Sequence, residues 1–218
     1  PQNSRQLQRS PRRGDARLTD DDVRKLLNQI EITTARTLLQ QSGCYKPGSP
    51  DNIHLLSQAR DLFASLARLA GDSELTQLSR LGQIECHRRL RDFAAAQNQR
   101  ELLEQSQSLS PRIRWMLVNE LAELKIDQNS PGQAVELLRR QLQTANRDID
   151  ANLIAQTELI LVRAYVAAWK AAARSTSAEH EPWRKAAIAQ LKKIERTQPQ
   201  YWVRRAEILL SSIESTST

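Results

Sequence analysis

The histidines and cysteines of this chain, which most often hold metals or act as nucleophiles, are few and widely spaced. The chain has 218 residues, and these two types occur only as His54, His87, His180, Cys44 and Cys86. No spacing that brings two ligands onto one helix face, such as HExxH, occurs among them. Cys86 and His87 are adjacent, so on a helix they point about 100° apart and cannot easily share an ion. We predict neither a metal site nor a cofactor.

Catalytic motifs are also missing from the sequence. There is no GxSxG turn, and six glycines are too few for a phosphate-cradling loop. Glu120 and Glu123 form a carboxylate pair one helical turn apart. Basic residues lie near the pair at Arg112, Arg114 and Lys125, which predicts a solvated, ion-paired helix face. We predict that the protein is not an enzyme; an all-α hydrolase or lyase would need a deep pocket with perturbed titratable groups.

The densest basic cluster outside the N-terminal region comprises His87, Arg88, Arg89 and Arg91. Such a cluster can receive an acidic peptide or phosphate groups. It is also typical of a solvated helix face, because cations near a helix C-terminus interact favourably with the helix dipole. Both interpretations stay open.

Positive charge is concentrated at the N-terminus. The chain carries a net charge of +7, with an isoelectric point near 9.8. Residues 1–17 contain five arginines and one aspartate, and they hold more than half of that excess. We predict a basic disordered arm or linker over 1–17, a single all-helical domain over 18–214, and a frayed tail over 215–218.

The sequence leaves the compartment and the cysteine pairing open. No stretch reaches the roughly 20 apolar residues that cross a bilayer, because Arg163 and Lys170 interrupt the longest candidate, 159–173. Cys44 and Cys86 can form one disulfide or remain two free thiols. The chain begins at Pro1, and we expect it to be a segment of a larger protein.

The composition predicts an all-α fold. Glycine occurs only six times, and no continuous alternating run of β-branched residues is present. Ser110-Pro111 and Ser130-Pro131 each precede an apolar, helix-periodic segment, as an N-cap followed by a first-turn proline. Thr19 is a further N-cap candidate. Helices are predicted over about 19–42, 51–70, 73–91, 99–106, 111–126, 131–145, 150–173, 182–198 and 200–214, with a break at 92–97.

Two stretches of the chain resemble the tetratricopeptide repeat, a helix-turn-helix unit of about 34 residues. Ala187, Leu191, Ile194 and Pro199 look like the small residue, the two packing positions and the closing proline of the second helix. A second stretch has Leu121-Ala122 followed by Ala134 and Leu138, and Leu81-Gly82 with Ala94 is a weaker third copy.

The resemblance covers residues 75–214, and the copies are degenerate. Asn146 stands where a closing proline is expected, and the helix pair over 19–70 lacks the motif. The resemblance implies antiparallel helix pairs stacked as a right-handed solenoid; the alternative is an irregular helical bundle. The basic-and-asparagine clamp of some members is not recognisable, because Asn119 has no basic companion at the expected spacing.

The four tryptophans fall on apolar stripes and are predicted to pack in the core. Trp202 has an alternative role, because no further helix follows to cover the outer side of the last predicted one. It can therefore contribute an exposed surface for a partner.

We expect a non-catalytic scaffold that binds a protein or peptide, since helical repeats commonly offer a concave surface. The alternative is a nucleic-acid-binding helical protein that uses the basic arm and the patch of Arg88, Arg89 and Arg91. The candidate partner-binding residues are Arg88, Arg89, Arg91, Arg112, Arg114, Asn119 and Trp202.

Overall fold

The computed structural model describes residues 19–69, 73–106, 108–146, 148–174 and 180–214, and this part of the chain is helical throughout, without strands. The all-α prediction is confirmed for these residues. The predicted arm, 1–17, and the predicted tail, 215–218, lie outside them. The helices are α1 (Asp20–Ser42), α2 (Pro50–Ala67), α3 (Glu74–Arg89), α4 (Phe93–Glu104), α5 (Pro111–Asp127), α6 (Pro131–Gln143), α7 (Ala151–Arg174), α8 (His180–Thr197) and α9 (Gln200–Glu214).

Most helix starts follow from local capping. Thr19 and Asp22 form a reciprocal capping box at the start of α1. Ser110 accepts from the Ile113 N–H at 3.2 Å, as its position before Pro111 predicts. Ser130 precedes α6 but makes no side-chain cap. Ser49 caps α2 ahead of Pro50 in the same way as Ser110, so α2 begins one residue before its predicted start at Asp51.

The turns α3–α4 and α5–α6 have the same backbone geometry. Arg91 and Asn129 both have positive φ, 63° and 60°. The residue after each donates its N–H five residues back, Asp92 to the His87 carbonyl and Ser130 to the Lys125 carbonyl. The predicted break at 92–97 is wrong, because Asp92 accepts from the Ala95 N–H and α4 begins at Phe93.

These matched turns correct the register of the weakest predicted repeat copy. Aligning Arg91 with Asn129 places Ala96 opposite Ala134, and both alanines are fully buried. Ala94, the predicted counterpart of Ala134 in the third repeat copy, is exposed. The small buried position of α4 is therefore Ala96.

The helices pack in a regular order. Each odd-numbered helix packs against the next odd-numbered one, and consecutive helices also pack together, except α4 with α5. No comparable packing joins the even-numbered helices of the described ranges. The buried apolar side chains form three clusters in chain order, the first in α1–α3, the second in α3–α5 and the third in α5–α9.

The two cysteines are not bonded to each other. Cys44 is exposed, whereas Cys86 lies in the first cluster, where burial raises the pKa of its thiol to about 12. Among the described helices, none combines the length and the hydropathy needed to cross a bilayer.

A close approach between α2 and α3 requires glycine at position 82. A Cβ built on Gly82 would lie 2.5 Å from Cζ of Phe63, whose side chain is 1% exposed. Gly132, in the first turn of α6, has no atom within 4 Å of an added Cβ.

We expect Gly82→Ala to lower the free energy of unfolding by about 1–3 kcal/mol, because the overpacking cost exceeds the ~1 kcal/mol gain in helix propensity. Urea denaturation of the full chain measures the change. Gly132→Ala is the matched control and should not destabilise. Equal stabilities for the two variants would contradict the packing of α2 on α3.

Candidate binding cleft

The described structure contains a cleft of about 690 Å³. Its walls come mainly from four odd-numbered helices, α3, α5, α7 and α9, and from the connection between α1 and α2; Asn52 of α2 and Phe93 of α4 also line it. Five arginines and four carboxylates line it. They are Arg88, Arg89, Arg91, Arg163, Arg205, Glu85, Glu120, Glu123 and Asp127.

An ion-pair network crosses the floor of this cleft and joins three helices. Arg88 of α3 contacts Glu120 at 3.2 Å and Asp127 at 2.8 Å, both on α5. Arg163 of α7 contacts Glu123 at 2.6 Å and the other oxygen of Asp127 at 3.2 Å. Asp127 is therefore shared by two guanidinium groups from helices on either side of α5 in the row.

The charged side chains of this network are unusually deeply buried. The side chains of Arg88 and Glu120 are 6% and 16% exposed. Burial raises the pKa of Glu120 to about 7, since it disfavours the carboxylate more than Arg88 favours it, and Glu85 and Glu123 add repulsion. Burial likewise raises the pKa of Glu123, against the attraction of Arg163 and Arg88.

The arginine responds in the opposite sense. Burial disfavours its charge, but the carboxylates of Glu120, Glu123 and Glu85 outweigh that cost, so the pKa of Arg88 is raised. Arg88 therefore stays protonated. Among the described residues, the carboxylates do not converge with others into a cluster able to hold a metal ion.

The structure separates the candidate arginines into different environments. Arg88 is buried, so neither a surface patch nor a solvated helix face describes it. Arg89 pairs with Glu85 and donates to the Leu39 carbonyl of α1. Arg91 is exposed, with its guanidinium 6.0 Å from the centre of the Phe93 ring.

The remaining basic candidates do not line the cleft. Arg112 is exposed and pairs with Glu74 at 3.1 Å, and Arg114 is also exposed. The predicted solvated face at Glu120 and Glu123 is wrong, because their partners are Arg88 and Arg163 rather than the basic residues nearest in sequence.

Asn119 lies in a buried polar group beside the cleft. Its side chain is 2% exposed, and its Oδ1 accepts from the Thr157 hydroxyl at 3.0 Å and from Gln141 Nε2 at 3.4 Å. Gln141 Nε2 also donates to the Trp115 carbonyl, which fixes the orientation of both amides. Asn119 Nδ2 has no hydrogen-bond partner among the described residues.

The residue lines a second, smaller cavity of about 110 Å³. That cavity shares Glu85, Glu120 and Gln156 with the cleft, so the two spaces adjoin. Asn119 Nδ2 is thus a buried donor, without a partner among the described residues, on a side chain that lines this smaller cavity.

The α9 end of the cleft has an aromatic and basic character, of which the sequence predicts only Trp202 as a partner-binding candidate. Trp202 is half-buried and lines the cleft, together with Arg205. An apolar cavity of about 350 Å³ adjoins it between α5, α7 and α9. The sequence signal available for this region was Arg163, which interrupts the apolar run 159–169 of α7.

No protein-family model matches the chain, and comparisons with curated proteins and with solved structures give no significant match. The tetratricopeptide resemblance therefore stays a sequence-based hypothesis. Function has to be inferred from the geometry of the cleft.

We expect Arg88→Gln to destabilise the fold by about 3–5 kcal/mol, because Glu120 would then be buried without a cation. Arg112→Gln is the matched control, and the loss of its exposed pair should cost less than about 1 kcal/mol. Urea denaturation compares them. Equal losses would show that the Arg88 network adds no more than a surface ion pair.

The raised pKa of Glu120 predicts a pH dependence of stability. Between the ordinary value of 4.5 and about 7, the folded state binds a proton more tightly than the unfolded state does. Lowering the pH through that window therefore raises the free energy of unfolding, and Glu120→Gln removes this contribution.

From about pH 8 to about pH 5, we expect wild type to gain roughly 1–3 kcal/mol relative to Glu120→Gln. Denaturant titrations at several pH values measure the difference. Glu136→Gln, which changes an exposed residue of α6, controls for net charge. Parallel curves for wild type and Glu120→Gln would contradict the prediction.

Proposed function

We propose that this protein is a non-catalytic binding module that holds a segment of a partner protein in the cleft. The observation that carries the proposal is a cleft of about 690 Å³ beside a buried amide, Asn119, with an unused donor. An unpaired buried donor lowers stability, and a backbone or side-chain acceptor from a partner would satisfy it.

We further propose that the helices form a tetratricopeptide-like right-handed solenoid of antiparallel pairs. Its support is the row of odd-numbered helices, the matched turns at Arg91 and Asn129, and the buried alanines Ala96 and Ala134. An irregular bundle is the alternative. In either arrangement, the cleft lies along the odd-numbered helices.

The charges of the cleft favour a protein segment over a nucleic acid. Four carboxylates line it, and they would repel a polymer that carries one phosphate per nucleotide. The buried Arg88 already pairs with Glu120 and Asp127, and it cannot turn to phosphates without leaving Glu120 uncompensated, although Arg163 would still pair with Asp127.

One observation favours a second candidate function, an acid–base enzyme. Glu120 has a raised pKa and lines a cleft, as a general acid often does. However, Arg88 donates to its Oε2 from both Nε and Nη2, and the described lining of the cleft contains no histidine, cysteine or lysine. These observations favour a binding function over acid–base catalysis.

Selection of a random-peptide display library on the immobilised chain tests the binding function. We expect enriched peptides whose affinity falls at least about tenfold in Gln156→Trp, because Gln156 is exposed and lines both the cleft and the smaller cavity beside Asn119. Gln133→Trp on α6, exposed and remote from the cavities, is the matched control. Peptides that bind both variants equally, or no enrichment, would refute the proposal.

A further inference from the structure

We infer that the α9 end of the cleft selects a partner segment in which an acidic side chain lies beside a large apolar one. This inference rests on the proposed binding function and deepens it. It follows from two neighbouring features, an arginine without a carboxylate partner among the described residues and an open apolar cavity that the same arginine lines.

The acidic preference follows from how the arginines of the cleft are paired. Arg88, Arg89 and Arg163 all have carboxylate partners. Arg91 and Arg205 are exposed, and no carboxylate of the described residues forms an ion pair with either; of the two, only Arg205 also lines the apolar cavity. A partner's aspartate or glutamate can therefore bind Arg205 without displacing an existing carboxylate.

Arg205 is already oriented for such a contact. Its guanidinium carbon lies 5.5 Å from the Tyr201 ring centre and 5.8 Å from that of Trp202. Its Nη1 donates to the Tyr201 hydroxyl at 2.9 Å. A guanidinium held against aromatic faces loses less freedom on binding, and its free edge suits a carboxylate.

The apolar preference comes from the adjoining cavity of about 350 Å³. Its apolar lining consists of Leu159, Ile160, Ile208 and Leu209. Ile208 is 70% exposed, which is costly for so large an aliphatic side chain. A leucine, isoleucine or phenylalanine of the partner would cover it.

The two features belong to one subsite because Arg205 lines both cavities. Glu123 also lines both, and Arg163 neutralises it. A single carboxylate placed at Arg205 thus meets a nearly balanced surface, whereas a polyanion would extend over the remaining carboxylates. The subsite therefore fits an acidic-apolar protein segment.

The experiment repeats the peptide selection on wild type, Arg205→Gln and Ile208→Ser. In wild type we expect enrichment of aspartate or glutamate next to leucine, isoleucine or phenylalanine. Arg205→Gln should lose the acidic enrichment and weaken the selected peptides about 10–100-fold. Ile208→Ser should lose the apolar enrichment.

The matched controls are Arg204→Gln, which changes the neighbouring exposed arginine of α9, and Ile53→Ser, which changes an exposed isoleucine of α2. Neither should alter the selected sequences. Peptides that are blocked by Gln156→Trp but show no acidic-apolar pattern would overturn this inference and leave the binding function intact.

Two further outcomes separate the alternatives. If no peptide is enriched on wild type, the binding function fails and the inference fails with it. If single-stranded oligothymidine binds and Arg205→Gln abolishes that binding, the subsite recognises phosphate, and the choice of a protein segment is wrong.

Discussion

The guanidinium of Arg88 is stable between α3 and α5 only because two carboxylates of α5 face it. A charge this deeply buried would otherwise cost several kcal/mol. Its partners, Glu120 and Asp127, lie on one face of α5. Their pairing with Arg88 therefore restricts how α3 and α5 can slide past each other. Asp127 extends the restriction to α7 through Arg163. Apolar contacts tolerate small shifts in helix register, whereas these paired charges do not.

The same pairing determines what the cleft can bind. Because carboxylates of the same chain form ion pairs with three of its arginines, the cleft presents few unpaired cations despite the basic composition of the chain. Net charge is therefore a poor guide to the partner. Two residues outside the ion-pair network say more about the proposed partner. Arg205 lies beside aromatic rings, and the amide of Asn119 has hydrogen-bond partners for Oδ1 but none for Nδ2 among the described residues.

Local features of the fold could be predicted from sequence, whereas the site mostly could not. Caps such as Thr19 and Ser110 act within one turn, and their positions were read correctly. The start of α4 was missed because Arg91, rather than glycine or asparagine, adopts the left-handed turn before it. The burial of Arg88 depends on carboxylates more than thirty positions away, and periodicity within one helix carries no information about them.

The order of the three apolar clusters has a consequence for how the molecule holds together. Among the described helices, substantial packing joins only those that are neighbours or next neighbours along the row, so α1 and α9 do not pack on each other. Unfolding can therefore begin at either end and stop before the middle. The cleft extends past all three apolar clusters, from Tyr45 to Trp202. If a partner segment binds along it, as we propose, that segment would link the two ends of the row, and its binding energy would add cooperativity to their unfolding.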